Sequence, residues 1–181
     1  MAMSKRNVLV TGGCGFIGSH IVEGLVKKDY RVRILDDLST GSLENINTIA
    51  TEKVEVCVGD VTDLSVLETA MNYGGTINVL EAARKHDIRR VVFAGSAAVY
   101  GNDPTLPKNE SMLPCPITPY AVDKLASELM GHVYARISDL EFVSLRYFNV
   151  FGSRQDPSSP YSGVISIFCD RMRQGIAPVV Y

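Results

Sequence analysis

The stretch Val8-Leu9-Val10-Thr11-Gly12-Gly13-Cys14-Gly15-Phe16-Ile17-Gly18 decides how the chain is read. Residues 7–10 are a short apolar run, and the glycines follow at once in the spacing Gly12-x-x-Gly15-x-x-Gly18. Beyond them Ile17, Ile21, Val22, Leu25 and Val26 recur on one helical face, with Lys27 and Lys28 in the last turn. A glycine turn between strand and helix lets the backbone bend sharply, approach a pyrophosphate and aim the helix N-terminus at it. The next strand, at 32–35, ends at Asp36-Asp37. A carboxylate there reaches the ribose hydroxyls of an adenosine and repels a 2′-phosphate, which points to NAD over NADP.

Working outward, residues 54–58 predict a third strand ending at Gly59-Asp60. Asp60-Val61 lies on the same edge of the sheet, where Asp60 either contacts the adenine or starts the next helix as its N-cap. Residues 63–71 predict a short helix, and 76–85 another with Ile77, Leu80 and Ala83 on one face. Residues 90–94 read as a strand, followed by 96–101. Five of the eight prolines fall in 104–119, which makes that stretch an ordered loop. Thr118 then caps a helix with Pro119 at its first position, running from 120 to about 136. A strand at 141–148, a polar loop beyond Gly152 and a helix at 164–174 complete the series. Strands alternating with helices imply an α/β chain with a parallel, doubly wound, Rossmann-like sheet.

Composition excludes several classes. With 46% apolar and 21% charged residues the 181-residue chain has an ordinary globular make-up, and a net charge of −2 offers no basic field to nucleic acid or an anionic membrane. Cys14, Cys57, Cys115 and Cys169 form no C-x-x-C pair, so neither a zinc site nor a disulfide framework is expected. Reduced thiols suit a cytoplasm. The first apolar run is too short for a signal peptide or a membrane span, and the protein is read as soluble and cytoplasmic. His20, His86 and His132 share no ligand spacing and read as surface or boundary residues. Cys14 reads as a small apolar filler, and Arg154-Gln155-Asp156 as a solvated loop.

Tyr120 and Lys124 stand at i and i+4, on one face of their helix. An ammonium beside a phenol stabilises the phenolate and makes tyrosine a usable general base. The pair opens a helix downstream of the glycine fingerprint, after a strand that leads into Ser96. Together with Asp36-Asp37-Leu38-Ser39-Thr40-Gly41, Val99-Tyr100-Gly101 and Leu145-Arg146-Tyr147-Phe148-Asn149-Val150-Phe151-Gly152, these segments resemble the extended short-chain dehydrogenase/reductases. Within them the chain is similar to NAD-dependent UDP-sugar 4-epimerases.

The resemblance implies that Ser96, Tyr120 and Lys124 form a catalytic triad. It implies an NAD site built from Gly12, Gly15, Phe16, Ile17, Gly18, Asp36, Asp37, Ser39, Thr40, Gly41, Asp60, Val61, Tyr120 and Lys124, with Phe148 near the nicotinamide. The substrate would meet Ser96 and Tyr120, and Asn149 would touch the diphosphate of the nucleotide-sugar. The implied reaction is 4-epimerisation of UDP-glucose, UDP-galactose or their N-acetyl forms through a 4-keto intermediate, by a parent that is a homodimer. Related 4,6-dehydratases carry Asp-Glu directly before Val-Tyr-Gly. Here Ala97-Ala98 cannot move a proton, which disfavours dehydration.

Two departures stand out. Thr76 comes only 16 positions after Asp60, an interval that in the family holds a helix, the fourth strand and the lead-in to the next helix. The fourth strand lies beside the first in a 3-2-1-4-5-6 sheet. Without it, the strand at 90–94 must pair with the first strand, or the sheet stays split. The chain also stops at Pro178-Val179-Val180-Tyr181, where the family continues into its substrate domain, so the helix at 164–174 should expose an apolar face. Residues 1–155 are therefore read as an NAD-binding domain with a deletion near 71–72, and 156–181 as the start of a truncated substrate region. The alternatives are a dehydratase or reductase of the same family, or a non-catalytic fragment that at most binds nucleotide.

Overall fold

The computed structural model describes residues 7–49, 52–62, 72–157 and 163–178. In chain order these form β1 (Asn7–Thr11), α1 (Phe16–Lys27), β2 (Arg31–Asp36), β3 (Val54–Val58), α2 (Asn72–Lys85), β4 (Arg90–Ser96), α3 (Pro119–Ile137), β5 (Glu141–Tyr147) and α4 (Val164–Arg173). Short 3-10 turns occupy Leu43–Asn45 and Ala97–Tyr100. The helix expected at 63–71 lies outside the described residues. Two boundaries move with consequence. β4 runs on to Ser96 because its pairing with β5 continues through Gly95↔Arg146 and Ser96↔Tyr147. β5 then stops at Tyr147, so Phe148 belongs to the loop after the strand and not to the strand.

Every strand pair is parallel, as the alternation of elements required, and the strands form two sheets, β1-β2-β3 and β4-β5. Among the described residues β4 does not pair with β1, so of the two outcomes expected above it is the split that is seen. The chain divides into two compact units, one of Met1–Asp63 with Val150–Tyr181, the other of Leu64–Asn149.

In the first unit, α1 packs on β1 and β2. Val10, Cys14, Val22, Val32, Ile34, Ile46 and Ile49 are buried together. Cys14 is fully buried, as a small filler should be, and burial pushes its thiol up from the ordinary value. The apolar stripe of α1 is covered only in part. Val22, Leu25 and Val26 join the core, whereas Ile17 and Ile21 are exposed. At about 100° per residue the five positions span about half the helix circumference, wider than one sheet face can cover. α4 contains no buried residue, in keeping with the expected uncovered face.

In the second unit, Leu80 and Ala83 of α2 and Tyr134 of α3 pack with Leu140, joined by Val91, Met130 and Phe142. Gly131 lets α3 sit close on the sheet, because a β-carbon there would overlap the Phe142 ring. Within this unit, the described residues cover one face of the sheet. Val92, Val143 and Leu145, which alternate with the residues turned toward α3, are exposed. Parallel sheets ordinarily carry cover on both faces. Among the described residues, no helix is long and apolar enough to cross a membrane.

Candidate active site

The glycine turn is set by contacts that need glycine. Gly12 adopts φ 65°, and its N–H donates to Leu35 O at 2.9 Å, tying the turn to the end of β2. A β-carbon on Gly18 would overlap the Gly12 carbonyl, so the helix starts pressed against the turn. Gly15 is the N-cap of α1 and supplies no side-chain cap, and the first helical turn holds no acid. The leading N–H groups of the helix, with Phe16, Ile17 and Gly18 among them, therefore meet no side-chain capping oxygen and no first-turn carboxylate, the arrangement that suits an anion.

Asp36 closes this turn from β2. It is buried, and its Oδ2 accepts the Cys14 N–H at 2.8 Å while Oδ1 accepts the Leu38 N–H at 2.9 Å. Gly41 lies against the same carboxylate, where a β-carbon would be 2.9 Å from Oδ1. The Cys14 carbonyl in turn accepts from Asn45 Nδ2 at 2.8 Å and from Ser42 N at 3.0 Å. The loop carrying Asp37, Ser39, Thr40 and Gly41 is thus drawn onto the glycine turn. Asp37 accepts from Ser39 through both backbone and hydroxyl, and the backbone bond leads in holding its carboxyl below the usual range. Asp60 accepts the Thr62 N–H at 2.7 Å, a bond of the kind that starts a helix; the residues that would continue it lie outside those described.

The second unit brings the other group together. Thr118 Oγ1 accepts the Ala121 N–H at 3.2 Å and Pro119 opens α3, as the sequence required. Tyr120, in that first turn, is half exposed. Lys124 Nζ donates to the Ala94 carbonyl at 3.2 Å, and lies 5.2 Å from the Phe93 ring centroid and 5.8 Å from that of Tyr120. Burial pushes its ammonium down from the ordinary lysine value. Ser96, two residues past Ala94, accepts the Ala98 N–H at 3.2 Å and caps the 3-10 turn. Ser96 is in register with Tyr147, and Phe148 and Asn149 follow in the loop, both exposed. The end of β4 is therefore where a serine, a lysine and the helix carrying a tyrosine meet.

The sequence reading does not single out Glu128 or Ser144, and names Arg146 and Tyr100 only within their motif segments. Glu128, on the face of α3 that carries Tyr120 and Lys124, is buried and accepts from Arg146 at 2.6 and 3.1 Å and from Ser144 at 2.9 Å. Arg146 lies 4.9 Å from the centroid of the buried Tyr100 ring. The spacing Tyr120, Lys124, Glu128 and a lone arginine inside an apolar strand were the available signals. Arg154 corrects the solvated-loop reading: it donates to Glu23 at 2.6 Å, and its side chain is 20% exposed. His20, His86 and His132 are exposed, as expected. Among the described residues no group of ligating side chains could hold a metal ion.

The sequence profile of the NAD dependent epimerase/dehydratase family matches residues 67–181, and that of GDP-mannose 4,6 dehydratase matches residues 9–73. The chain belongs to the NAD-dependent epimerase/dehydratase family. A Methanocaldococcus jannaschii protein, named provisionally as a UDP-glucose 4-epimerase, is 40% identical over 96% of this chain and 65% of its own. The fold is similar to the UDP-N-acetylglucosamine 4-epimerase of Methanobrevibacter ruminantium, solved with UDP-N-acetylmuramic acid: TM-score 0.90, 36% identity, 99% of this chain and 66% of the other. It is also similar to the Thermus thermophilus UDP-glucose 4-epimerase solved with NAD, at TM-score 0.83 and 36% identity over 96% of this chain and 64% of the other. The chain thus spans slightly less than two-thirds of the length of each.

Proposed function

We propose that this chain carries the cofactor-binding and catalytic residues of an NAD-dependent UDP-sugar 4-epimerase. The observation that carries the reading is the convergence at the end of β4. Lys124 is bonded to Ala94 O, Ser96 closes the same strand, and Tyr120 stands one turn before Lys124 in α3. The uncapped, acid-free N-terminus of α1 fits a dinucleotide. Gly12, Gly15, Phe16, Ile17 and Gly18 would hold its pyrophosphate, and Asp36 its adenosine ribose, with Asp37, Ser39, Thr40 and Gly41 around it. Asp60 and Val61 would meet the adenine, and Phe148 the nicotinamide.

When bound, NAD supplies the acceptor and then the donor of one hydride at sugar C4. Tyr120 takes the proton of the 4-hydroxyl and later gives it back. Ser96 hydrogen-bonds the same oxygen, Lys124 favours the phenolate by its charge, and Asn149 holds the diphosphate. Ala97-Ala98 leaves no acid or base for eliminating water, which favours epimerisation over dehydration. The test is turnover of UDP-glucose, UDP-galactose and their N-acetyl forms by the chain and by an uninterrupted parent. Tyr120→Phe should lower the rate by about 10²–10⁴-fold. No turnover of any of the four by the parent would overturn the assignment.

We also propose that a segment is missing between Asp60 and Asn72. The Methanocaldococcus alignment runs over 200 positions but accommodates 96% of 181 residues, so about 26 positions have no counterpart in this chain. The two family profiles meet at 67–73. The observed orders β1-β2-β3 and β4-β5 are those of a 3-2-1-4-5-6 sheet with the fourth strand removed. This favours a second reading for the chain as it stands, a fragment that binds nucleotide weakly and does not turn over.

A homodimer of the parent is supported by α3. Val122, Leu129, Val133 and Ile137 are exposed and fall within about 80° of one another, on the side away from Tyr120 and Lys124. The four free thiols fit a reducing compartment, in accord with a cytoplasmic location.

A further inference from the structure

Tyr120, Lys124 and Glu128 follow one another at i, i+4 and i+8, so Glu128 lies on their side of α3, about 12 Å along the helix from Tyr120. Its carboxylate is bound from the opposite strand at both oxygens. Oε1 accepts from Arg146 Nη2 at 2.6 Å, and Oε2 from Arg146 Nε at 3.1 Å and Ser144 Oγ at 2.9 Å. This is the two-pronged arginine–carboxylate geometry, which fixes orientation as well as distance. The side chains of Glu128 and Arg146 are 7% and 16% exposed, so the pair is shielded from solvent.

The other side of Arg146 meets the Tyr100 ring at 4.9 Å, and Tyr100 ends the 3-10 turn that Ser96 caps. Gly95, next to Ser96, is in register with Arg146 itself. One guanidinium thus touches the helix that carries Tyr120 and Lys124 and the turn that follows Ser96. A neutral, unpaired contact at this depth would let the helix rotate or slide on the sheet. A buried bidentate ion pair has one geometry.

We propose that Glu128 and Arg146 are positioning residues that fix the seating of α3 on the β4–β5 sheet and so hold Lys124 and Tyr120 at the Ser96 end of β4. The proposal rests on the reading of Tyr120 and Lys124 as the reacting pair. Its structural content, that Lys124 is kept in place by Glu128, holds or fails independently of turnover.

The experiment follows the Lys124 side chain by NMR in ¹³C-lysine-labelled protein, its signal identified by loss in Lys124→Met. In Glu128→Gln the Lys124 titration midpoint is expected to move up toward the ordinary lysine value as the ammonium leaves its half-buried seat, the opposite of the downward shift that the unpaired Arg146 charge would cause with the helix still in place. Arg146→Lys should move it less than Glu128→Gln. Tyr134→Phe is the control, since it removes the 2.5 Å bond between Tyr134 and Glu81 that ties the same helix to α2. It should lower Tm without moving Lys124.

In turnover, Glu128→Gln should lower kcat by about 10–100-fold with little change in KM. Absence of turnover in the wild-type parent would remove the proposed reaction, and the Lys124 titration would still decide this point. A Glu128→Gln protein with lowered Tm and a Lys124 titration that is unmoved or shifted down would overturn the proposal, as would an equal shift in Tyr134→Phe. Should Glu128→Gln fail to fold, Ser144→Ala removes one of the bonds to the carboxylate and is read by the same criterion.

Discussion

The Asp36 carboxylate holds the Cys14 amide at 2.8 Å, so the acid at the end of β2 is part of the glycine turn before any nucleotide arrives. The residue read as a ribose ligand is therefore also a structural latch, with one oxygen on Cys14 and the other on Leu38. Asp36→Ala would leave two N–H groups without their acceptor, at a cost of about 1–3 kcal/mol for each that stays buried. Chemical denaturation should show that loss, and NAD binding by calorimetry should weaken beyond what the removal of one ribose contact explains. Unchanged stability would mean that water replaces the carboxylate.

Lys124 is expected to trade stability for chemistry. Burial lowers its folded-state value, so the folded protein disfavours the charged form relative to the unfolded chain. For a base shifted downward, the cost is fully present below the folded value and is relieved as pH rises toward the unfolded value. Lys124→Met should therefore raise Tm at pH 7 by more than it does at pH 10, while abolishing turnover. Thermal melts at the two pH values test the sign.

Glu128 carries the opposite dependence. Burial pushes its carboxyl up, but the bonds from Arg146 and Ser144 outweigh this and leave it below the usual range. Its stabilising contribution is present above about pH 4.3, the ordinary glutamate value, and is lost as pH falls through the lower folded value. Replacing Arg146 with Met removes the partner of a shielded charge and should cost about 3–5 kcal/mol at neutral pH. Comparing wild type with Arg146→Met in acid titrations of stability should show the gap narrowing below pH 4.

The proposal that a segment is missing has a gain-of-function test. Grafting the unmatched residues of the Methanocaldococcus relative between Met71 and Asn72 should raise the amount of NAD that stays with the purified protein. Denaturation followed by absorbance and mass measurement of released nucleotide would read this directly. Equal, near-stoichiometric NAD in grafted and ungrafted proteins would show that the split sheet already suffices.

On the α3 stripe, Leu129→Glu or Val133→Glu in the parent should convert a dimer to a monomer by light scattering. An unchanged mass would locate the homodimer contact elsewhere or remove it.

Much of this was legible before the structure. The order of strands and helices follows from apolar periodicity broken at Gly12, Asp36 and Thr118, since each of those residues has a local backbone task. Ser96, Tyr120 and Lys124 could be placed because a strand end and a helix start fix their spacing. The Glu128–Arg146 pair could not, since it depends on which face of α3 meets which side of β5, a tertiary matter. Arg154 was misread for the same reason: its partner Glu23 is on a helix far away in sequence. The split of the sheet was one of two outcomes that local sequence left equal, because pairing of β4 with β1 is not encoded in either strand alone.

Cys14 offers a chemical clock for the first unit. Its thiol is fully buried, whereas Cys115 and Cys169 are open to solvent. A thiol reagent will consume the exposed pair at once and reach Cys14 only when the glycine turn comes away from β2 and its loop. The slow phase of labelling therefore counts the opening events of the nucleotide cradle, and the slowing of that phase by NAD would measure occupancy without any need for turnover.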